Sequence, residues 1–204
     1  MPRDAAPARQ PLVQPDDPDH YVRVMAETLA RIHTTPVDAF GFLPITLTTP
    51  RPPRTTLDDD LREAEVRAGI ARWGEVALGP TVLRHGDFWP GNVLWVGNRL
   101  TGVVDWENAL RGPALADLAI ARLDLWWALG RDAMDTFTAH YLRLHPIALD
   151  TLPYWDLRTA LRPVGDLAAW PAPYAALGRH DITHATLRET LLVFIEEALG
   201  KTPG

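Results

Sequence analysis

The 204-residue chain contains no cysteine. That absence removes disulfides, thiolate nucleophiles and cysteine-based zinc sites together, and it suits a cytoplasmic protein. Lysine is nearly missing too: Lys201 is the only one, so the basic side chains are otherwise arginines. No apolar run approaches the roughly 18 residues that a membrane span needs, and Met1 to Gln10 (MPRDAAPARQ) carries no hydrophobic stretch behind its basic residue. No membrane partner is expected. The 20 Lys+Arg against 26 Asp+Glu leave a formal charge of -6, which argues against a nucleic-acid partner as well. What remains is ordinary globular material, 47% hydrophobic and 23% charged, enough to bury a core and too apolar for a disordered chain. There is no internal repeat. The 19 prolines fall mainly in connections and the 8 tryptophans mainly in apolar stretches, so stiff loops and a bulky core account for most of them.

Along the chain, residues 1–17 are Pro-, Ala- and Arg-rich with little periodicity and read as a flexible lead-in. Asp17 can cap a helix with Pro18 in its first turn, and Val22, Met25, Leu29 and Ile32 then recur at helical spacing until His33-Thr34-Thr35-Pro36. Prolines 36, 44, 50, 52 and 53 make residues 34–56 an irregular connection. Val66, Ile70, Trp73 and Ala77 mark one face of a second helix, ended by Gly79-Pro80. The period then changes: Thr81-Val82-Leu83 and Val93-Leu94-Trp95-Val96 read as strands, Gly97-Asn98 as a two-residue hairpin turn, and Leu100 to Val104 as the returning strand. From Pro113 the pattern is helical again, with a break at Gly130, a proline-broken helical region over 146–182, and a last helix capped by Thr183 and closed by Gly200. The fold class is mainly α with a small β-hairpin.

The chemistry lies in His85-Gly86-Asp87-Phe88-Trp89-Pro90-Gly91-Asn92, followed after the hairpin by Asp105-Trp106-Glu107. Asn92 stands five residues after Asp87, the Asp-to-Asn step of the kinase catalytic loop, and the hairpin brings a second acid, Asp105, to the same end. These residue types suit phosphoryl transfer from a nucleotide. A carboxylate, Asp87, can orient an acceptor hydroxyl and take its proton. Magnesium prefers oxygen ligands and keeps several waters, so Asn92 and Asp105 form a plausible protein contribution to its site. Gly86 and Gly91 let the backbone turn tightly beside them.

HGDFWPGNVLW, then GVVDWENALRGPALADLA, resembles the aminoglycoside phosphotransferase and choline kinase-like family, relatives of the protein kinases. The Leu29-Ala30-Arg31-Ile32-His33 segment is similar to a helix end of that family, so the resemblance spans residues 18–199, with a tail at 200–204. It implies that Asp87 is the catalytic base, that Asn92 and Asp105 bind Mg2+, and that ATP is the phosphoryl donor to a small-molecule hydroxyl substrate. It also implies that His85 and Asp117 support the catalytic loop. Glu107 is a candidate contact to nucleotide or substrate.

The family begins with a small β-rich lobe carrying a glycine-rich loop and a phosphate-binding lysine. Neither precedes residue 18 here. The resemblance is therefore to the helical C-terminal lobe of a protein-kinase-like fold, and it implies a truncated phosphotransferase or one completed by a separate N-terminal lobe. The alternative is a non-catalytic lobe, a pseudo-enzyme or half of a split enzyme, serving as a binding module. A metal-dependent phosphoesterase is a distant third reading, lacking the further histidines and acids of two-metal sites. The other six histidines form no zinc-ligand spacing. Trp126-Trp127 reads as core plus partial exposure, since adjacent helix positions do not share a face, and Asp124, Asp156, Glu196 and Glu197 read as solvated helix faces or as attractors of an amino-bearing substrate.

Overall fold

The computed structural model describes residues 9–45, 56–76 and 78–203. The chain runs β1 (Gln10–Pro11), α1 (Pro18–His33), α2 (Glu63–Ala71), β2 (Thr81–Arg84), β3 (Val93–Val96), β4 (Arg99–Val103), β5 (Leu110–Pro113), α3 (Ala114–Leu129), α4 (Arg131–Leu144), α5 (Leu152–Ala160), α6 (Pro171–Ala176) and α7 (His184–Leu199), with short 3-10 turns between several of them. It is a helix-dominated α+β arrangement with small antiparallel sheets.

Helix α3 is the pillar. It has no polar stripe, only an apolar sequence interrupted by a few charges, and a helix apolar all round is stable only when surrounded. It packs against α4, α5 and α7 and against the foot of β2, while α1 lies chiefly against α4. One core joins α1, α4 and the hairpin, with Trp95 stacked on Tyr21 at 4.6 Å; the other fills the space among α3, α5 and α7. Buried Leu118, Leu123 and Leu125 each contribute about 1.5–3 kcal/mol relative to exposure.

Helix ends follow their local chemistry. Asp17 accepts the His20 N–H at 3.0 Å, Thr183 and Thr186 form a reciprocal capping box, and Gly130, at φ +93°, separates α3 from α4. Helix α2 is shorter than its apolar pattern suggested: it ends at Ala71, and Gly74 at φ +56° turns the chain away. Ala77 lies outside the described residues, as do Pro50, Pro52 and Pro53.

Two strands escaped the sequence reading. Gln10 and Pro11 pair antiparallel with Trp95 and Leu94, and Val13 is buried, so the supposedly flexible lead-in docks on the hairpin over this stretch. Leu110–Pro113 pairs with Thr81–Arg84, in the register Arg84↔Leu110 to Thr81↔Pro113. This second ribbon leads directly into α3 and fixes where the loop after Arg84 emerges. Among the described residues, no helix is long and apolar enough to cross a membrane.

Candidate functional site

Residue by residue, the 85–92 loop is held by one carboxylate. Asp117, in the first turn of α3 and fully buried, accepts the His85 N–H at 2.6 Å and the Gly86 N–H at 3.1 Å. Arg84 Nε donates to it at 2.9 Å, and His33 Nε2 lies 3.4 Å away, with Nδ1 taking the Tyr141 hydroxyl at 2.6 Å. Burial by itself would raise the Asp117 carboxyl; the Arg84 guanidinium, His33 and the His85 N–H outweigh it and hold the group well below the usual carboxylate range. Gly86 sits at φ +82°, and a Cβ there would stand 2.2 Å from the Asn108 carbonyl oxygen. Only glycine fits both demands.

Asp87 and Asn92 then clasp each other. The Asn92 amide nitrogen donates to the Asp87 backbone carbonyl at 2.9 Å and to Asp87 Oδ2 at 3.2 Å. This leaves Asn92 Oδ1 as an unused acceptor among the described residues. The Val104 N–H donates to the Asn92 carbonyl at 2.9 Å, so the end of β4 is stitched to the end of the loop, and Asp105 follows immediately. Asp105 is exposed and in no ion pair among the described residues, with a left-handed backbone at φ +63°, unusual for a side-chain-bearing residue. Glu107 is exposed on the 3-10 turn Trp106–Asn108 just beyond.

His85 braces the two halves. Its ring is buried, Nε2 donates to the Val104 carbonyl at 2.9 Å, Nδ1 accepts the Asp87 N–H at 3.3 Å, and Trp106 packs over it at 4.6 Å between centroids. Both ring nitrogens are spent on backbone groups. The fold thus brings Asp87, Asn92 and Asp105 to one end of the hairpin, with His85 and Asp117 behind them. Oxygen donors alone, one amide and one carboxylate, suit a hard cation such as Mg2+ and not zinc. Among the described residues there is no cluster of three or more His, Asp or Glu able to hold a metal.

The model of the phosphotransferase enzyme family (APH) matches residues 3–150. The chain belongs to that family. Among curated proteins none matches it in sequence. Solved structures of similar fold include a thermostable mutant of aminoglycoside phosphotransferase APH(4)-Ia in a ternary complex with ADP and hygromycin B (18% identity, TM-score 0.60, 99% of this chain and 71% of that one). A second is aminoglycoside-3'-phosphotransferase of type VIII (19%, 0.52, 76% and 65%). A third is LicA, the choline kinase from Streptococcus pneumoniae, in complex with AMP (16%, 0.50, 88% and 63%). This family member therefore spans about two thirds of the length of such neighbours.

Beside the 85–92 loop lies a cavity of about 330 Å³ lined by Asp87, Asp124, Arg162 and aromatic side chains. Sequence reasoning missed its central ion. Arg162, just after α5, contacts Asp87 Oδ1 through one terminal nitrogen and Asp124 Oδ2 at 3.1 Å through the other, with Trp170 stacked at 5.3 Å. Asp124 is no solvated-face residue. It is buried, and burial pushes its carboxyl up to about 6 against the pull of Arg162. Asp156 is likewise buried, paired with Arg122 at 3.3 Å and pushed up to about 6 by burial. A lone acid in the apolar run Leu123-Asp124-Leu125-Trp126-Trp127 was the available signal. Trp127 is buried and Trp126 half-buried, as their adjacency required.

Proposed function

We propose that this chain carries the catalytic lobe of an ATP-dependent phosphotransferase that moves a phosphoryl group to a hydroxyl of a small molecule. The observation that carries the reading is the meeting of Asp87, Asn92 and Asp105 at one hairpin end beside a cavity that Asp87 itself lines.

In this reading Asp87 hydrogen-bonds the acceptor hydroxyl and takes its proton as the oxygen forms its bond to the terminal phosphorus. The bond between that phosphorus and the bridging oxygen breaks, and ADP leaves. Asn92 Oδ1 and the Asp105 carboxylate would hold Mg2+, which supplies neutralisation of phosphate charge. Asp117 and His85 keep the loop in register, so Asp87 meets the acceptor in a fixed orientation. Glu107, exposed beyond Asp105, is a contact to nucleotide or substrate. A second, β-rich lobe forms the other wall of the nucleotide site in this account, and the reaction belongs in the cytoplasm, where ATP is supplied.

One observation favours the alternative of a binding module. Both oxygens of Asp87 are engaged, Oδ1 by Arg162 and Oδ2 by Asn92, so an acceptor has to displace one of them. Magnesium-dependent ADP release by the full-length protein, across a panel of amino sugars, amino alcohols and sugars, separates the two. Asp87→Asn should lower turnover by about 10²–10⁴-fold, the usual share of a general base. Nucleotide binding without turnover on any acceptor would favour the module.

A further inference from the structure

Arg162 bridges two carboxylates with different surroundings. One terminal nitrogen contacts Asp87 Oδ1 on the 85–92 loop, where the acid side chain is 23% exposed. The other donates to Asp124 Oδ2 at 3.1 Å, and there the acid, on the enclosed helix α3, is only 4% exposed. Trp170 lies under the guanidinium at 5.3 Å. The two bonds are therefore not equally easy to break. Asp87 can exchange the arginine for water or a hydroxyl, whereas Asp124 without its cation is a buried charge left uncompensated, which is strongly disfavoured.

Asp124 has no task in the transfer chemistry itself. Its Oδ1 takes no hydrogen bond among the described residues. A guanidinium that lets go of Asp87 can turn its released nitrogen onto that oxygen and form the two-bonded fork that arginine and carboxylate favour. It gives up neither Asp124 Oδ2 nor its place over Trp170 in doing so. Asp87, Arg162, Asp124 and Trp170 all line the one cavity, so the arginine stands where an acceptor has to reach the base. A base left open there would serve water as readily as an acceptor, and ATP would be hydrolysed to no purpose.

We propose that Arg162 is a latch on Asp87: it occupies Oδ1 while no acceptor is bound, which denies the base to water, and an acceptor hydroxyl displaces it onto Asp124. This rests on the phosphotransferase reading, which gives Asp87 its role as base; the two seats of the arginine come from the geometry.

Magnesium-dependent ADP release by the full-length protein with water as the only acceptor tests the latch. Arg162→Met, which keeps an unbranched stem and removes the donors, should raise the rate about fivefold, the worth of a partly exposed ion pair. Adding Asp87→Asn should abolish the gain, because the gain runs through Asp87. Asp124→Asn leaves the arginine to Asp87 alone and should hold the rate at or below that of the wild type. Because Arg162→Met strands the Asp124 charge, Arg162→Met with Asp124→Asn carries the same expected rise should the single variant fail to fold. An unchanged or lower rate in the folded variant lacking Arg162, a gain that survives Asp87→Asn, or a rise in Asp124→Asn overturns the proposal. Any of these in a protein whose melting temperature rises with Mg-ATP removes the latch and leaves the phosphotransferase reading standing. A wild type that neither gains stability from Mg-ATP nor releases ADP, with variants that do the same, removes that reading and the latch together.

Discussion

The Asp117 carboxylate receives the His85 backbone N–H at 2.6 Å across 32 residues of sequence. The same group receives the Gly86 N–H and pairs with Arg84, so three consecutive residues at the end of β2 converge on one side chain. Asp117→Ala leaves Arg84 buried without its carboxylate and two loop N–H groups without an acceptor. A loss of about 3–5 kcal/mol in urea unfolding is expected. Less than about 1 kcal/mol would mean that the loop is held elsewhere.

Two glycines with positive φ should respond differently to alanine. At Gly97, φ is +58° and a Cβ meets nothing within 4 Å, so only the left-handed penalty of about 1–2 kcal/mol applies. At Gly86 the same penalty is joined by a collision with the Asn108 carbonyl oxygen at 2.2 Å. Gly86→Ala should therefore destabilise clearly more than Gly97→Ala in parallel denaturation curves. Equal losses would place the 86–108 contact wrongly.

How much of this was legible in the sequence varies with the range of the interactions. The hairpin was readable because Val93–Val96, Gly97-Asn98 and the return strand are local, and the caps Asp17 and Thr183 act within three residues. The Asp87, Asn92 and Asp105 group was readable because a loop and a hairpin join its members over a short stretch. Leu110–Pro113 was not: Leu-Arg-Gly-Pro has no strand pattern and is a strand only because Thr81–Arg84 lies beside it. Arg162 escaped for the same reason, since 75 residues separate it from Asp87 and nothing near it in sequence marks the site. Asp124 and Asp156 were read as surface acids because helix periodicity does not reveal that α3 and α5 are enclosed.

The buried acids give stability a pH dependence. In Asp156 the folded carboxyl is raised from 3.8 to about 6, so its protonated form is favoured in the folded chain. Its contribution is fully present below the ordinary value and is lost as pH rises from about 4 to about 6. Asp156→Asn should lack that segment, gaining on the wild type across this interval by at most about 3 kcal/mol, at about 1.36 kcal/mol per pH unit. Asp117 has the opposite sign: its carboxyl is depressed, so its contribution is present above the ordinary value and is lost as the solution becomes more acid. Denaturation midpoints of both proteins from pH 3.5 to 7.5 check this, and parallel curves over pH 4–6 would contradict it.

The central claim is that Asn92 and Asp105 hold a magnesium–nucleotide complex against the hairpin end. Thermal unfolding with ATP, with and without Mg2+, on the wild type and Asp105→Ala measures it most directly. A ligand at 100 times its dissociation constant adds about 2.7 kcal/mol to the native state. For a chain of this size that is a rise of about 5–10 °C. The account predicts such a rise in the wild type with Mg2+, little without it, and none in Asp105→Ala, whose unliganded transition should remain cooperative. A cooperatively folded wild type that shows no rise, or an Asp105→Ala variant stabilised as fully as the wild type, would contradict it.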